Sequence, residues 1–481
     1  MKESTSLMRN YILNSSYQIL VMLVPLIMTP YLTRTLGSEG LGKYAYYYSY
    51  AYYFTLFSML GIPNYGNRAI AKVSQDESQR TQMFLEIYKL QAIIAIGITV
   101  LYSIFVHLFL KDDRIAWMLL GYVLAYIFDI SWFFFGMEQF KVTLIRNFII
   151  KAITIICVLI LVKSEEDVYK YALITSVGTF IANIILFPKA RKLLDVSSYN
   201  KIRAGKHIKR ILILFIPYIA VSVYTVMDKV MLGAMTQMSE VGFYESSERI
   251  IKVPLVFVTS LGTVMMPRIS NLLSLDEKEK SDNYLSKSII FIMFLAGSMC
   301  FGIVAIADIF VPVFFGDGFE KCINILTILM PSCIFLAFAN VIRTQYLLPH
   351  EMDQQYVIAL LMGAITNLGL NLLLIPRYAS IGASIGTLVT EAVVCFFQCF
   401  SVRKYIPLKK YIYESALFVI AGILMSIIIR MIRIDVDALF IVLAIKILLG
   451  VIIYFAILAF LYGLWNVQKV LLRKSKDYQW K

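Results

Sequence analysis

Fourteen apolar runs follow one another along almost the whole chain, and short polar gaps separate them. Each run holds about 20 residues, enough for a helix to cross a hydrocarbon core of about 30 Å. Because lipid offers the backbone no hydrogen-bond partners, such runs must form helices. The predicted spans are residues 10–33, 41–62, 84–110, 115–137, 144–162, 168–187, 211–235, 242–266, 286–314, 322–347, 355–375, 379–402, 411–432 and 437–463.

The composition fits an all-α, polytopic membrane protein. The chain is 59% hydrophobic and 16% charged, whereas about 25% of the residues of an average soluble domain are charged. The net charge of +14 is typical of nucleic-acid-binding proteins too, but Lys and Arg are concentrated in alternate gaps. Cytoplasmic loops of membrane proteins show this bias. It predicts cytoplasmic termini and no nucleic-acid partner.

A central basic gap divides the spans into six and eight. Residues 188–210 carry eight Lys and Arg. At an offset of 200 positions, Gly42, Tyr44 and Arg68 recur as Gly242, Tyr244 and Arg268. Six spans separate the matches, which predicts parallel repeats, as in alternating-access transporters. The predicted domains are an N-terminal lobe (1–190), a cytoplasmic basic linker (191–210), a C-terminal lobe of six helices (211–404) and two accessory helices with a tail (405–481).

Motifs for nucleotides, metals and catalysis are weak. Residues 37–44 resemble a phosphate-binding P-loop, but Tyr44 stands where Ser or Thr would hold magnesium, and no strand precedes the loop. Cys395 and Cys399 lie one helical turn apart, without a histidine or a second cysteine pair beside them. We interpret them as packed thiols. The sequence therefore predicts no catalytic residue, no metal and no cofactor, and a protein that is not an enzyme.

Two helical hairpins carry a resemblance to a known family. The segments PYLTRTLGSEGLGKYAYYYSY (30–50) and DKVMLGAMTQMSEVGFYESSERI (228–250) resemble hairpins of bacterial Wzx-type polysaccharide flippases. These belong to the multidrug/oligosaccharidyl-lipid/polysaccharide transporter superfamily, with lipid II flippases and multidrug exporters. Fourteen helices, rather than the exporters' usual twelve, favour the polysaccharide or lipid II branch.

The resemblance implies a function and a location. A protein of this family would lie in the bacterial cytoplasmic membrane and move undecaprenyl-diphosphate-linked oligosaccharides from the cytoplasmic to the outer leaflet. Its partners would be this anionic lipid-linked substrate, membrane lipid and proteins of polysaccharide assembly. The alternatives are a lipid II flippase and a cation-coupled multidrug exporter. A membrane glycosyltransferase ranks below these because no predicted outer gap is large.

Charged residues within the spans are the strongest functional signal, since charge in hydrocarbon is costly and faces a cavity or a partner. Four cations near the outer ends of helices 1, 7 and 8 are candidates to bind the diphosphate: Arg34, Lys229, Arg249 and Lys252. The alternative is a self-neutralised network. Glu245 and Arg249, like Glu248 and Lys252, are four residues apart, a spacing that suits ion pairs within a helix.

Further polar residues are candidates for the sugar and for energy coupling. Asn14 in helix 1 and Tyr50 in helix 2 could contact sugar, although tyrosine also forms membrane-interface belts. Three acids are candidates to couple a proton or sodium gradient, or are structural: Asp228, Glu391 and Asp129. The membrane potential alone is another energy source. Outward transfer of two negative charges gains about 4–5 kcal/mol at ~100 mV.

Overall fold

The structure, a computed structural model, describes residues 2–111, 113–195 and 204–478, and the side chains of 2–23, 25, 204, 224 and 464–478 lie outside the description. Within these ranges the regular structure is helical, without a strand. The helices are α1 (Lys2–Met59), α2 (Ile62–Lys72), α3 (Glu77–Phe109), α4 (Arg114–Met118), α5 (Leu120–Ala125), α6 (Ser131–Gly136), α7 (Phe140–Leu161), α8 (Val168–Ile184), α9 (Phe187–Arg191), α10 (Ile208–Met235), α11 (Met238–Ser274), α12 (Lys278–Phe315), α13 (Lys321–Leu329), α14 (Ser332–Ile342), α15 (Asp353–Val402), α16 (Leu408–Met431) and α17 (Leu439–Tyr478).

The predicted all-α membrane fold is confirmed. Helices α1 and α15 each include two predicted spans. The backbone leaves the helical conformation where the two spans meet, at Gly37 (φ 65°) in α1 and at Ala379 (φ 50°) in α15. In the described ranges nine helices are long and apolar enough to cross a membrane, and the bent α10 makes a tenth. One predicted span, residues 322–347, continues from α13 and α14 into a π-helical turn at Arg343–Leu347.

The fourth predicted span, residues 115–137, differs from expectation because it is not one helix. It is divided into α4, α5 and α6. The Asp129 carboxylate accepts the backbone N–H of Ser131 at 3.0 Å, a local bond that competes with helix formation. The Gln91 amide of α3 donates to the carbonyls of Tyr126 and Asp129, at 2.9 and 3.0 Å. These bonds stabilise the break.

One helix, α2, lies in a gap between predicted spans. Its buried residues recur on one face: Ile62, Gly66, Ala69 and Ile70. Asp76 follows this helix and caps the start of α3 by accepting the backbone N–H of Gln79 at 3.0 Å. This bond to the carboxylate holds the pKa of Asp76 below its usual value.

Contacts divide the chain into two compact units. Unit 1 comprises residues 1–245 and 371–380, and unit 2 comprises residues 246–370 and 381–481. The core of unit 1 includes the consecutive aromatic residues Trp132, Phe133 and Phe134. The lobe and linker bounds expected from the sequence stay a prediction.

In unit 2 the two C-terminal helices, α16 and α17, pack against α12. The Tyr454 hydroxyl of α17 donates to the Phe294 carbonyl of α12 at 3.1 Å. A buried backbone contact lies nearby, where a Cβ on Gly297 would be 3.0 Å from the Phe418 carbonyl oxygen. The C-terminal helices are therefore part of the core of unit 2.

Candidate functional site

Two recurring glycines lie together in unit 1, where the second half of α1 crosses the start of α11. A Cβ on Gly42 would lie 1.7 Å from the Met238 carbonyl oxygen, and a Cβ on Gly242 would lie 1.9 Å from the Ser38 carbonyl oxygen. Each glycine thus faces the residue four positions before the other. Only glycine allows two backbones to approach this closely.

A buried acid, Asp228, lies on α10 in the same unit. It is 1% exposed. Its Oδ2 accepts the Tyr244 hydroxyl of α11 and its Oδ1 accepts the Asn371 side-chain amide, both at 2.5 Å. Buried carboxylates are stable when donors satisfy their oxygens. Asp228 therefore joins three chain segments at one polar point.

The next residue, Lys229, forms an ion pair with Glu245. Its Nζ lies 2.9 Å from Glu245 Oε2, and the two side chains are 11% and 14% exposed. Tyr48 and Tyr52 of α1 lie near enough for the Lys229 charge to act on their hydroxyls. The cation thus lies near aromatic hydroxyls and beside the Glu245 carboxylate.

A second acid, Glu240, holds the break in α15. Its Oε2 accepts the Ser380 backbone N–H at 3.2 Å and the Ser380 hydroxyl at 2.5 Å. Ser380 follows Ala379, where the backbone leaves the helical conformation. An acid at a helix N-terminus complements the helix dipole. Glu240 thereby fixes the start of the second half of α15.

Tyr50, the tyrosine predicted to contact sugar, and its neighbour Tyr53 both make contacts within unit 1. The Tyr50 hydroxyl lies 3.2 Å from that of Tyr46, and its ring is 5.2 Å from that of Phe105. The Tyr53 hydroxyl donates to the Ser222 carbonyl of α10 at 2.9 Å. Both tyrosines are half-buried in contacts between helices of unit 1.

The remaining candidates of unit 1 lie apart from one another in sequence. Arg34 is exposed and donates to the Pro30 carbonyl within α1 at 3.1 Å. Asp129 lies in the break between α5 and α6, where it caps Ser131. Asn14 lies on α1, and its side chain is outside the described part of the structure.

In unit 2 the expected pair of Glu248 and Lys252 is present, with 3.2 Å between the carboxylate and Lys252 Nζ. The Lys252 side chain is 57% exposed. Arg249 is half-buried, between these two on α11. Glu391 of α15 is 5% exposed and lies near enough to Cys333 to act on it electrostatically.

The sequence analysis did not identify three residues that make the polar contacts described above for unit 1. Glu240 and Asn371 were not candidates, and Tyr244 was noted only as a repeat of Tyr44. The spacing of Asn367 and Asn371, one helical turn apart in an apolar helix, is the pattern that could have indicated a buried polar point.

A sequence model of the family described as polysaccharide biosynthesis protein matches residues 7–273, more than half of the chain. The chain belongs to this family. The family resemblance of the two hairpins is thereby confirmed.

Relatives agree with this membership. The putative O-antigen transporter of Escherichia coli K12 is 24% identical over 407 residues, which cover 83% of this chain and 97% of that protein. The probable low-salt glycan biosynthesis flippase Agl15 of Haloferax volcanii is 26% identical over 186 residues, 39% of each chain.

Solved structures show the same fold. The lipid II flippase MurJ, in an inward closed conformation, superposes with a TM-score of 0.72 at 16% identity, covering 95% of this chain and 99% of that one. An inward-facing multidrug transporter of the MATE family has a TM-score of 0.62 at 13% identity, covering 83% and 99%. The chain therefore has the same fold as these two transporters.

Proposed function

We propose that this protein is a flippase that moves undecaprenyl-diphosphate-linked oligosaccharides from the cytoplasmic to the outer leaflet for surface polysaccharide assembly. The observation that carries the proposal is the match to the putative O-antigen transporter of Escherichia coli K12 over 97% of its length. The transporter fold and the family membership support the same function. The protein would act as a transporter, by alternating access, and not as an enzyme.

The charges in the helices support an anionic substrate. Arg34, Lys229, Arg249 and Lys252 would contact the diphosphate during the transport cycle. Lys229 and Lys252 each have an acid beside them, so the diphosphate would compete with a carboxylate for each cation. An exporter of lipophilic cations needs acids without matching cations, because a basic wall repels such a substrate. Asn14 and Tyr50 would contact the sugar.

Energy coupling would use a buried acid. Asp228 is supported best, since it is 1% exposed and two neutral donors hold its carboxylate. A proton or a sodium ion would bind there in one state of the cycle. Glu391 and Asp129 are the other candidates. Asp129 has a structural bond to Ser131, and it would serve coupling only if that bond opened.

Replacing Arg249 with Ala is expected to reduce export at least tenfold while protein abundance stays near normal, because the guanidinium would lose its bidentate contact to the diphosphate. Arg249→Lys should retain part of the activity, since lysine keeps the charge and loses the planar fork. Export is measured as the amount of surface polysaccharide on a strain that lacks its own flippase and expresses each variant.

Arg268→Ala is the matched control for Arg249. Arg268 is an exposed arginine on the same helix, α11, and it contacts the Tyr284 ring and hydroxyl. It should leave export near the wild-type level. Wild-type export by Arg249→Ala would show that Arg249 has no contact with the substrate on which transport depends.

For location we propose the bacterial cytoplasmic membrane, with both termini and residues 188–210 on the cytoplasmic side. The bias of Lys and Arg supports this orientation. Single cysteines labelled with a membrane-impermeant reagent in intact cells test it. Ser38→Cys and Ser239→Cys should react from outside and Lys206→Cys should not. Labelling of Lys206→Cys from outside would reverse the orientation.

A further inference from the structure

An open groove lies in unit 2 between α12, α16 and α17, with a volume of about 420 Å³. Ligand pockets in proteins measure about 300–1,000 Å³. Its wall is apolar and aromatic along most of its length, formed by Phe291, Phe294, Phe418 and Leu458. Phe291 is 53% exposed. In a membrane protein such a surface faces acyl chains.

Polar groups are confined to one end of the groove. Lys287 lies seven residues before Phe294 on α12, so about 10 Å separates them along the helix axis. Tyr462 lies one turn after Leu458 on α17 and also lines the groove. This end is the one predicted to lie at the cytoplasmic interface, where Lys and Tyr side chains reach lipid head groups.

An acid, Glu414, lies beside the same end. It is one helical turn before Phe418 on α16, and its charge acts on the Tyr462 hydroxyl. Its Oε1 lies 4.0 Å from Lys410 Nζ. Its Oε2 is buried and has no hydrogen-bond partner among the described residues. A buried carboxylate oxygen without a hydrogen-bond donor costs free energy, so a donor from a bound molecule would stabilise it.

We propose that this groove binds a phospholipid with an ethanolamine head group from the cytoplasmic leaflet. One acyl chain would lie along the aromatic wall. The Lys287 ammonium would contact the lipid phosphate, and the lipid's primary ammonium would donate to Glu414 Oε2. A choline head group has no N–H to donate, and a glycerol head group carries no positive charge. The cation and the acid together therefore favour ethanolamine over choline and glycerol.

Native mass spectrometry of the purified full-length protein tests this site. The protein would be given phosphatidylethanolamine, phosphatidylcholine and phosphatidylglycerol with identical acyl chains. Wild-type protein is expected to prefer phosphatidylethanolamine about tenfold over phosphatidylcholine, the effect of about one charge-assisted hydrogen bond. Glu414→Gln should remove this preference, and Lys287→Gln should weaken the binding of all three lipids.

Lys409→Gln is the matched control, since Lys409 is an exposed lysine at the start of α16 that does not line the groove. It should bind the three lipids like the wild type. Equal binding of phosphatidylethanolamine and phosphatidylcholine by the wild type, or an unchanged preference in Glu414→Gln, would contradict the proposal. Displacement of bound phosphatidylethanolamine by a lipid-linked oligosaccharide, in wild type but not in Lys287→Gln, would assign the groove to the substrate tail instead.

Discussion

Replacing Asp228 with Ala is expected to abolish export and to lower the free energy of unfolding by about 2–5 kcal/mol. The change removes the acceptor of two buried donors, the Tyr244 hydroxyl and the Asn371 amide. A buried donor that loses its acceptor costs about 1–3 kcal/mol. Thermal unfolding of the purified protein in detergent measures the loss of stability, and surface polysaccharide measures export.

Two further variants separate coupling from stability. Asp228→Asn keeps the shape and removes the charge, so it should fold and lose export that depends on an ion gradient. Tyr244→Phe removes one hydrogen bond and should lower the free energy of unfolding by about 1 kcal/mol, with export retained. If Asp228→Asn shows the same gradient dependence as the wild type, Asp228 is a structural acid and coupling lies elsewhere.

Leucine at Gly42 or Gly242 is expected to reduce export at least tenfold. The added Cβ would lie 1.7 or 1.9 Å from a carbonyl oxygen of the crossing helix, so the two backbones must move apart. Overpacking in a tight contact costs about 1–3 kcal/mol, and more when backbone must move. Thermal unfolding of the purified variants in detergent measures this loss of stability, and surface polysaccharide measures export.

The control for the crossing is Gly97→Leu on α3. A Cβ there would have nothing within 4 Å, and the glycine is exposed. This variant should export and unfold like the wild type. Normal export by both Gly42→Leu and Gly242→Leu would mean that this backbone contact is not needed during transport.

The sequence predicts the helices well because lipid leaves an apolar run only one way to satisfy its backbone. It does not predict the break in the fourth span. That break depends on Gln91, which is distant in sequence and donates to the carbonyls of Tyr126 and Asp129. Helical periodicity carries no information about a donor from another helix.

The polar contacts show the same limit. Spacing along one helix indicates the pair of Glu248 and Lys252, which the structure contains. The structure also contains a pair of Glu245 with Lys229, which lies on the preceding helix. Spacing within one helix identifies neighbours one turn away, but it carries no information about a partner on another helix.

Transport in reconstituted vesicles tests whether the protein moves a lipid-linked oligosaccharide. Purified protein in liposomes would be given a fluorescent undecaprenyl-diphosphate-linked oligosaccharide, lipid II or a lipophilic cationic drug. We expect movement of the oligosaccharide lipid between leaflets and no drug transport. Changing Arg34, Lys229, Arg249 and Lys252 together to Gln should abolish that movement. Drug transport without movement of the oligosaccharide lipid would contradict the proposed function, and preference for lipid II would assign the protein to the lipid II branch.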